Sequence, residues 1–325
     1  MKIGVTGASG HIGANLTRLL LEKKFSVSIL EHTDNRAVEG LTVETIKGSL
    51  DDQKSLENFC QGLDVVFHLA ARISIGTNSF ETLHKVNVEG TQNLVFSCKK
   101  AGVKRIIYFS SIHALDHRPL DQPMDESRTL VQGSPQAYER TKSMGEAWIL
   151  AQKTEQFEVV VLNPTAVVGP LDHKPSLMGE LLLRMYKGKI PGLIPGGYNW
   201  VDVRDVAEAA SNAIFRGKSG EHYILSGNWY SLKEYAETLQ EVTGKKIRKV
   251  VLPFWLARIG VPFIKIGSLI TKSQPLYTNE SLDIVSEGNK NILNEKARKE
   301  LGFNPRPLSE SLKDAFIWFK ENNYF

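Results

Sequence analysis

Short β-branched runs alternate with longer amphipathic segments through the first half of the chain. Strands are predicted at Lys2–Thr6, Ser26–Glu31, Val43–Ile46, Asp64–Leu69, Arg105–Ser110 and Val159–Leu162. Helices are predicted at Ile12–Glu22, Gln53–Cys60, Ser79–Ala101 and Pro135–Thr154. Runs such as Val65-Val66-Phe67 and Val159-Val160-Val161-Leu162 do not alternate in polarity. Strands buried on both faces have this pattern, so a parallel sheet covered by helices is expected. The strand–helix alternation gives the same answer: an α/β fold with a doubly wound parallel sheet of Rossmann type.

After Pro164 the pattern changes. Residues 169–197 are rich in glycine and proline, with one helix near Ser176–Tyr186. A strand and helix follow at Trp200–Arg216, then a strand at His222–Leu225. From Ser231 onward helices dominate, at Leu232–Val242, Phe254–Ile270 and Ser309–Glu321. The chain is expected to divide into a larger α/β domain, residues 1–168 plus 198–228, and a smaller, mostly helical, discontinuous lobe from 169–197 plus 229–325.

Composition narrows the function classes. The chain has 325 residues, 42% hydrophobic and 23% charged, enough to bury a core without staples and unlike a disordered chain. Forty Lys and Arg stand against 36 Asp and Glu, and the slight excess argues against a nucleic-acid partner. Cys60 and Cys98 match neither a metal spacing nor a disulfide framework and suit a reducing cytoplasm, the expected location. No signal peptide fits ahead of the strand at Lys2. The apolar stretch Phe254–Ile270 carries Arg258 and Lys265, so it is too short and interrupted to span a bilayer. It either packs inside the second lobe, touches a membrane surface or caps an apolar substrate.

The first turn carries candidate chemistry. Thr6-Gly7-Ala8-Ser9-Gly10-His11-Ile12-Gly13 joins the first strand to the first helix. Gly7 permits a tight turn, Gly10 lets the backbone approach a pyrophosphate, and Gly13 lets helix and strand pack closely. The phosphates would sit at the helix N-terminus, where free N–H groups and the dipole favour anions. The larger domain is thus expected to bind a dinucleotide and the smaller lobe a substrate. Glu31 ends the second strand, where a carboxylate accepts from adenosine ribose hydroxyls and repels a 2′-phosphate. It favours NAD, while His32 and Arg36 beside it leave NADP open.

Tyr138 and Lys142 stand four residues apart on a predicted helix, with Ser134 read as its N-cap and Pro135 in its first turn. An ammonium beside a phenol stabilises the phenolate, so Lys142 is expected to lower the Tyr138 pKa. Ser110-Ser111 ends the fifth strand. Carboxyl ends of parallel strands face the ligand crevice, so serine, tyrosine and lysine are expected to converge beside the cofactor.

In these residues the sequence resembles an extended short-chain dehydrogenase/reductase of the NAD-dependent epimerase/dehydratase group, within it the dihydroflavonol-reductase-like branch. The shared pieces, in order, are the glycine turn, His68-Leu69-Ala70-Ala71, Asn87-Val88-Glu89-Gly90-Thr91, Tyr108-Phe109-Ser110-Ser111, Tyr138 with Lys142, Asn163-Pro164 with Gly169-Pro170, Val203-Arg204-Asp205-Val206, Leu301-Gly302-Phe303 and Trp318-Phe319. The resemblance spans essentially the whole chain. It implies Tyr138 as proton donor or acceptor at the reacting oxygen, and Lys142 at the nicotinamide ribose. It implies Ser111 as hydrogen-bond donor to the substrate oxygen, with Ser110 as the one-residue alternative. Asn87 either supports the lysine or is a structural amide. The implied cofactor contacts are Gly7, Ser9, Gly10, His11, Ile12, Glu31, His32, Arg36, Ser49, Leu50, Leu69, Ala70, Ala71, Asn87, Tyr138, Lys142 and Pro164. The implied substrate contacts are Ser111, His113, Asn163 and Tyr198.

Three departures matter. Ser49 replaces the acidic residue of the family's adenine contact, and Thr141 replaces a serine. Tyr198 stands where nucleotide-sugar members usually place an arginine, so a diphosphate clamp is missing. That favours a carbonyl–alcohol oxidoreductase acting on a small, weakly charged substrate. A nucleotide-sugar epimerase or dehydratase, and a non-catalytic NAD(P)-sensing protein, are the alternatives. No metal is expected, because His113 and His117 have no third ligand at a recognised spacing. Tyr198 and Trp200 either line the pocket or fill a core. Helices 79–101 and 135–154 pack either within the chain or as a homodimer's four-helix bundle, as the resemblance implies.

Overall fold

The computed structural model describes residues 1–32, 34–73, 79–259, 261 and 278–325. Strand β1 (Lys2–Thr6) lies mid-sheet, parallel to β2 (Ser26–Glu31) on one side and β4 (Val65–His68) on the other. Outward from β2 comes β3 (Glu44–Lys47). Outward from β4 come β5 (Arg105–Phe109), β6 (Glu158–Pro164) and β9 (His222–Leu225), all parallel. The strand order therefore reverses between β1 and β4, and ligands of such sheets bind at the carboxyl ends beside that point.

Alternate residues of the inner strands feed two different cores. Val65, Phe67, Ile107, Val160 and Leu162 face α1 (His11–Glu22), α7 (Val203–Arg216) and helix Glu295–Leu301. Val66, Ile106, Tyr108, Val159 and Val161 face α2 (Gln53–Cys60), α4 (Gly90–Ala101) and α5 (Ala137–Leu150). The unbroken apolar runs follow from this double burial.

A second sheet has the order β10-β8-β7. β7 (Ala166–Val168) leaves the central sheet one residue after β6 and pairs parallel with β8 (Gly197–Asp202), which pairs antiparallel with β10 (Asn228–Ser231). Residues 198–202, grouped by sequence with the larger domain, thus belong to this sheet. A Cβ on Gly227 would sit 1.7 Å from the Trp200 carbonyl oxygen, so only glycine admits that pairing. The sheet and α6 (Leu177–Tyr186), α8 (Leu232–Thr243) and helix Leu308–Glu321 enclose a core containing Leu182, Leu239, Leu312 and Phe319. Trp200 is part of that core, its ring 4.3 Å from Tyr235. Short elements escaped the sequence reading: β7, β10 and helices Asn279–Glu287 and Glu295–Leu301.

Two helix expectations change. Ser79–Ala101 is α3 (Phe80–His84), a π turn over Lys85–Glu89, then α4. α5 begins at Ala137, because Gln136 is extended; Ser134 accepts from the Gln136 N–H outside the helix instead of capping it. Of the apolar stretch Phe254–Ile270, residues 254–259 are helical, while 260 and 262–270 lie outside the described residues. No helix among the described residues is long and apolar enough to cross a membrane.

Candidate active site

At the β1–α1 turn the backbone does the shaping. Gly7 has φ +74°, and a Cβ there would lie 2.6 Å from the Ala70 nitrogen. A Cβ on Gly13 would lie 2.1 Å from the Gly7 oxygen. Gly10 is the N-cap of α1 and offers no side chain to its first N–H groups, which remain for a ligand beside Ser9 and Ile12. His11 is tied back: its Nε2 lies 3.1 Å from the Pro170 oxygen, to which Asn15 also donates at 3.0 Å.

A chain of buried hydrogen bonds crosses from β1 to the π turn. The Thr91 hydroxyl donates to the Asn87 carbonyl, so it accepts from His68 Nε2 at 3.0 Å. His68 Nδ1 then accepts from the Thr6 hydroxyl at 2.8 Å, and Thr6 accepts from the Ala70 N–H. Burial pushes the His68 pKa down to about 3, which keeps this neutral tautomer in place. Asn87 continues the chain: its amide accepts from Arg72 N–H and donates to the Arg72 carbonyl and to Thr141 on α5. Its described bonds are those of a structural amide beside the lysine. The 68–72 loop, carrying Leu69, Ala70 and Ala71, is thereby fixed to α5, and a π turn at such a place is common near functional sites.

Along the sheet edge, Glu31 is half-buried at the end of β2 and its carbonyl accepts from Gly48 N–H. His32 is exposed. Arg36 is exposed but pairs with Asp34 at 2.7 Å, and this hydrogen-bonded pair holds the Asp34 carboxyl down at about 2. The Ser49 hydroxyl donates to Asp51, and Leu50 packs where a Cβ on Gly90 would collide. Pro164 ends β6 opposite Leu225.

Ser110 and Ser111 are buried at the end of β5, and Ser111 Oγ accepts from His113 N–H at 3.2 Å. Tyr138 sits in the first turn of α5, and the Ser111 hydroxyl is close enough to its own to favour the phenolate. Lys142, one turn on, is buried; its Nζ donates to the Phe109 carbonyl at 2.7 Å and lies 4.9 Å from the centre of the Tyr108 ring. The expected lowering of the tyrosine pKa is absent: burial pushes Tyr138 up to about 12, and only the Ser111 side chain pulls it down. Burial also pushes the Lys142 ammonium down to about 8, opposed by the Glu146 carboxylate.

Glu146 was not singled out from the sequence, although it extends the four-residue spacing of Tyr138 and Lys142. It is fully buried. Its carboxylate accepts from Asn163 Nδ2 at 2.7 Å and from His222 Nδ1 at 2.9 Å. His222 Nε2 meets the Glu126 carbonyl, so both ring nitrogens face acceptors. Burial opposes the charged ring, but the Glu146 and Glu126 bonds win and hold its pKa above the ordinary value. Asn163 also donates to the Ser111 carbonyl at 3.1 Å, so it sits behind Ser111, fully buried.

His113 stands edge-on to Tyr138, ring centres 6.2 Å apart. His117 lies beside it, and Glu139 of α5 completes a cluster whose donor atoms all fall within 4.8 Å of one another. The third group that sequence spacing did not offer is therefore supplied by folding. Tyr198 is half-buried in the second sheet, packed edge-on against Trp200.

Residues 3–226 match the model of the NAD dependent epimerase/dehydratase family. Sterol demethylase protein B of Methylococcus capsulatus is 32% identical over 98% of this chain and 98% of its own length. A putative dihydroflavonol 4-reductase of Synechocystis is 32% identical over 98% and 95%. The crystal structure of gox2253 superposes with a TM-score of 0.84 at 33% identity, covering 98% of each chain.

Proposed function

Because the chain belongs to the NAD dependent epimerase/dehydratase family, we propose that it is an NAD(P)-dependent oxidoreductase of the extended short-chain type, interconverting a carbonyl and an alcohol on a small, weakly charged substrate. The observation that carries the reading is the meeting of Ser111, Tyr138 and Lys142 at the carboxyl end of β5. The glycine turn fits a dinucleotide, since a Cβ at Gly7 or Gly13 would fill the cradle. The bound cofactor supplies or accepts the hydride.

The chain's own residues handle the proton. Tyr138, kept protonated by burial, donates its hydroxyl proton to the substrate oxygen in reduction and takes it back in oxidation. Ser111 holds the same oxygen from the β5 side. Lys142 is anchored at the Phe109 carbonyl, from which its remaining protons serve a ribose hydroxyl. Asn163 keeps Ser111 in register by holding its carbonyl. Tyr138→Phe should abolish turnover and leave NADH binding, read by fluorescence, nearly unchanged. Undiminished turnover would remove the assignment, and a wild-type chain that binds cofactor but turns over no carbonyl would favour the sensing alternative.

NAD is preferred to NADP because Glu31 ends β2 and Arg36, the nearby cation, is engaged by Asp34. A nucleotide sugar is disfavoured because Tyr198 replaces the clamp. Of the cations in residues 169–197, Arg184 pairs with Glu180 and Lys187 donates to the Tyr324 carbonyl. Both names, sterol demethylase protein and dihydroflavonol reductase, fit substrates of low charge. Calorimetry with UDP, GDP and TDP sugars in the presence of NAD tests this, and micromolar binding would restore the epimerase or dehydratase reading. We read the chain as cytoplasmic, because the buried thiols of Cys60 and Cys98 lie 3.6 Å apart in a hydrogen bond and not in a disulfide. It is read as a homodimer through α4 and α5, where Phe96 and Met144 are exposed; sedimentation as a monomer would refute that.

A further inference from the structure

His113, His117 and Glu139 come from three places: the 3-10 turn after β5, the loop behind it and the first turn of α5. His113 Nδ1 and both ring nitrogens of His117 are shielded from water and have no hydrogen-bond partner. Buried polar atoms are seldom left so, because each forfeits its bond to water without replacement. A single ligand that accepts lone pairs, seated by the carboxylate, would satisfy His113 Nδ1 and one nitrogen of His117, the other His117 nitrogen keeping its proton.

The donor chemistry specifies what kind. Two imidazoles and a carboxylate are a recognised set for zinc, with a fourth position left for water or a substrate oxygen. His113 Nδ1 and Glu139 Oε1 are 3.6 Å apart, close to the roughly 3.4 Å edge of a zinc tetrahedron with about 2.1 Å bonds. The widest separation in the cluster is 4.8 Å or less, so the donors need to draw in by about an ångström. Glu139 Oε2 accepts from the Ser134 hydroxyl at 2.8 Å, which orients the carboxylate as outer partners of metal ligands do.

We propose that His113, His117 and Glu139 bind one divalent first-row transition ion, with zinc the reference case, beside Tyr138 and Ser111. Two links join it to Ser111 and Tyr138: the His113 N–H donates to Ser111, and Glu139 follows Tyr138 in sequence. The ion would hold a water or a substrate oxygen next to the reacting carbonyl. That last role rests on the oxidoreductase reading; the ion site itself does not.

The test uses the full chain freed of metal by a chelator. Calorimetric titration with zinc chloride should give one ion per chain, and cobalt chloride should give the visible absorption of a low-coordinate histidine site. His117→Gln and His113→Gln should each weaken binding by at least about tenfold, with unchanged thermal melts showing that the variants fold. Tyr138→Phe should retain the ion in full, so failure of the catalytic reading leaves this result intact. Absence of a saturable site in the wild type, or wild-type affinity in the two histidine variants, would overturn the proposal.

Discussion

At the β1–α1 turn the cradle is made by absence: no side chain at Gly7, Gly10 or Gly13, and a helix end without a cap. A few strands along the sheet, beneath α5, the opposite method is used. Lys142, Glu146, Asn163 and Ser111 are packed with at most 8% of their surface exposed, each held by another polar group. The first region constrains the backbone and tolerates no added atom. The second constrains side chains and tolerates no missing partner. Damage should therefore take different forms in the two places.

The largest effect is expected under α5. Glu146→Leu leaves the His222 ring and the Asn163 amide without their common acceptor and removes the carboxylate that favours the charged Lys142, and removing one member of a buried ionic group costs about 3–5 kcal/mol. Urea unfolding measures it; a loss below about 1 kcal/mol would mean that water or a rearrangement replaces the carboxylate, and the contrast would fail. At the cradle, Gly13→Ala pushes a methyl to 2.1 Å from the Gly7 oxygen and should cost about 1–3 kcal/mol, seen chiefly as weakened NADH binding. Gly10→Ala, whose Cβ meets the same oxygen at 3.3 Å, should cost much less. Equal losses would show that the cradle is not set by close approach.

A pH series sharpens the comparison, because glycine backbone shapes the cradle while the region under α5 depends on the Lys142 ammonium. With the Lys142 pKa held near 8 by burial, NADH affinity should fall by about tenfold per pH unit above that point. Stability should move the other way. Between about 8 and the ordinary lysine value near 10.4, the unfolded chain keeps the proton that the folded chain sheds, so this group's contribution rises with pH. The difference between wild type and Lys142→Met isolates both slopes; parallel slopes would refute the assignment. The smallest effect belongs to Glu31→Ala, which should narrow the preference for NADH over NADPH by about 1 kcal/mol, about fivefold. Tighter NADPH binding by the unaltered chain would put Arg36 in charge.

The cradle was also the more legible region. β1, β2, α2 and β9 run between the residues that the pattern of apolar positions marks, because local periodicity and double burial both act along the chain. Ser111, Tyr138 and Lys142 could be found from spacing and strand ends. The rest of the candidate site depends on contacts that spacing does not encode. Glu139 reaches His113 from 26 positions away, and His222 reaches Glu146 from 76. The direction of the Tyr138 pKa turned on burial, which outweighs any charge four residues along. Trp200 resolved as core only once Tyr235 lay against it.

The pairing of β6 with β9 has a consequence for a ribosome-bound chain. β6 is complete at Pro164, yet its outer edge is covered only by residues 222–225, and His222 is also the partner that Glu146 lacks until then. For the time needed to synthesise nearly sixty residues, the nascent chain presents an open apolar strand edge and a half-neutralised carboxylate at one place. Such an edge is a template for wrong pairing. The pairing of β9 closes that edge, and the core that it borders is completed only when helix Glu295–Leu301 has followed.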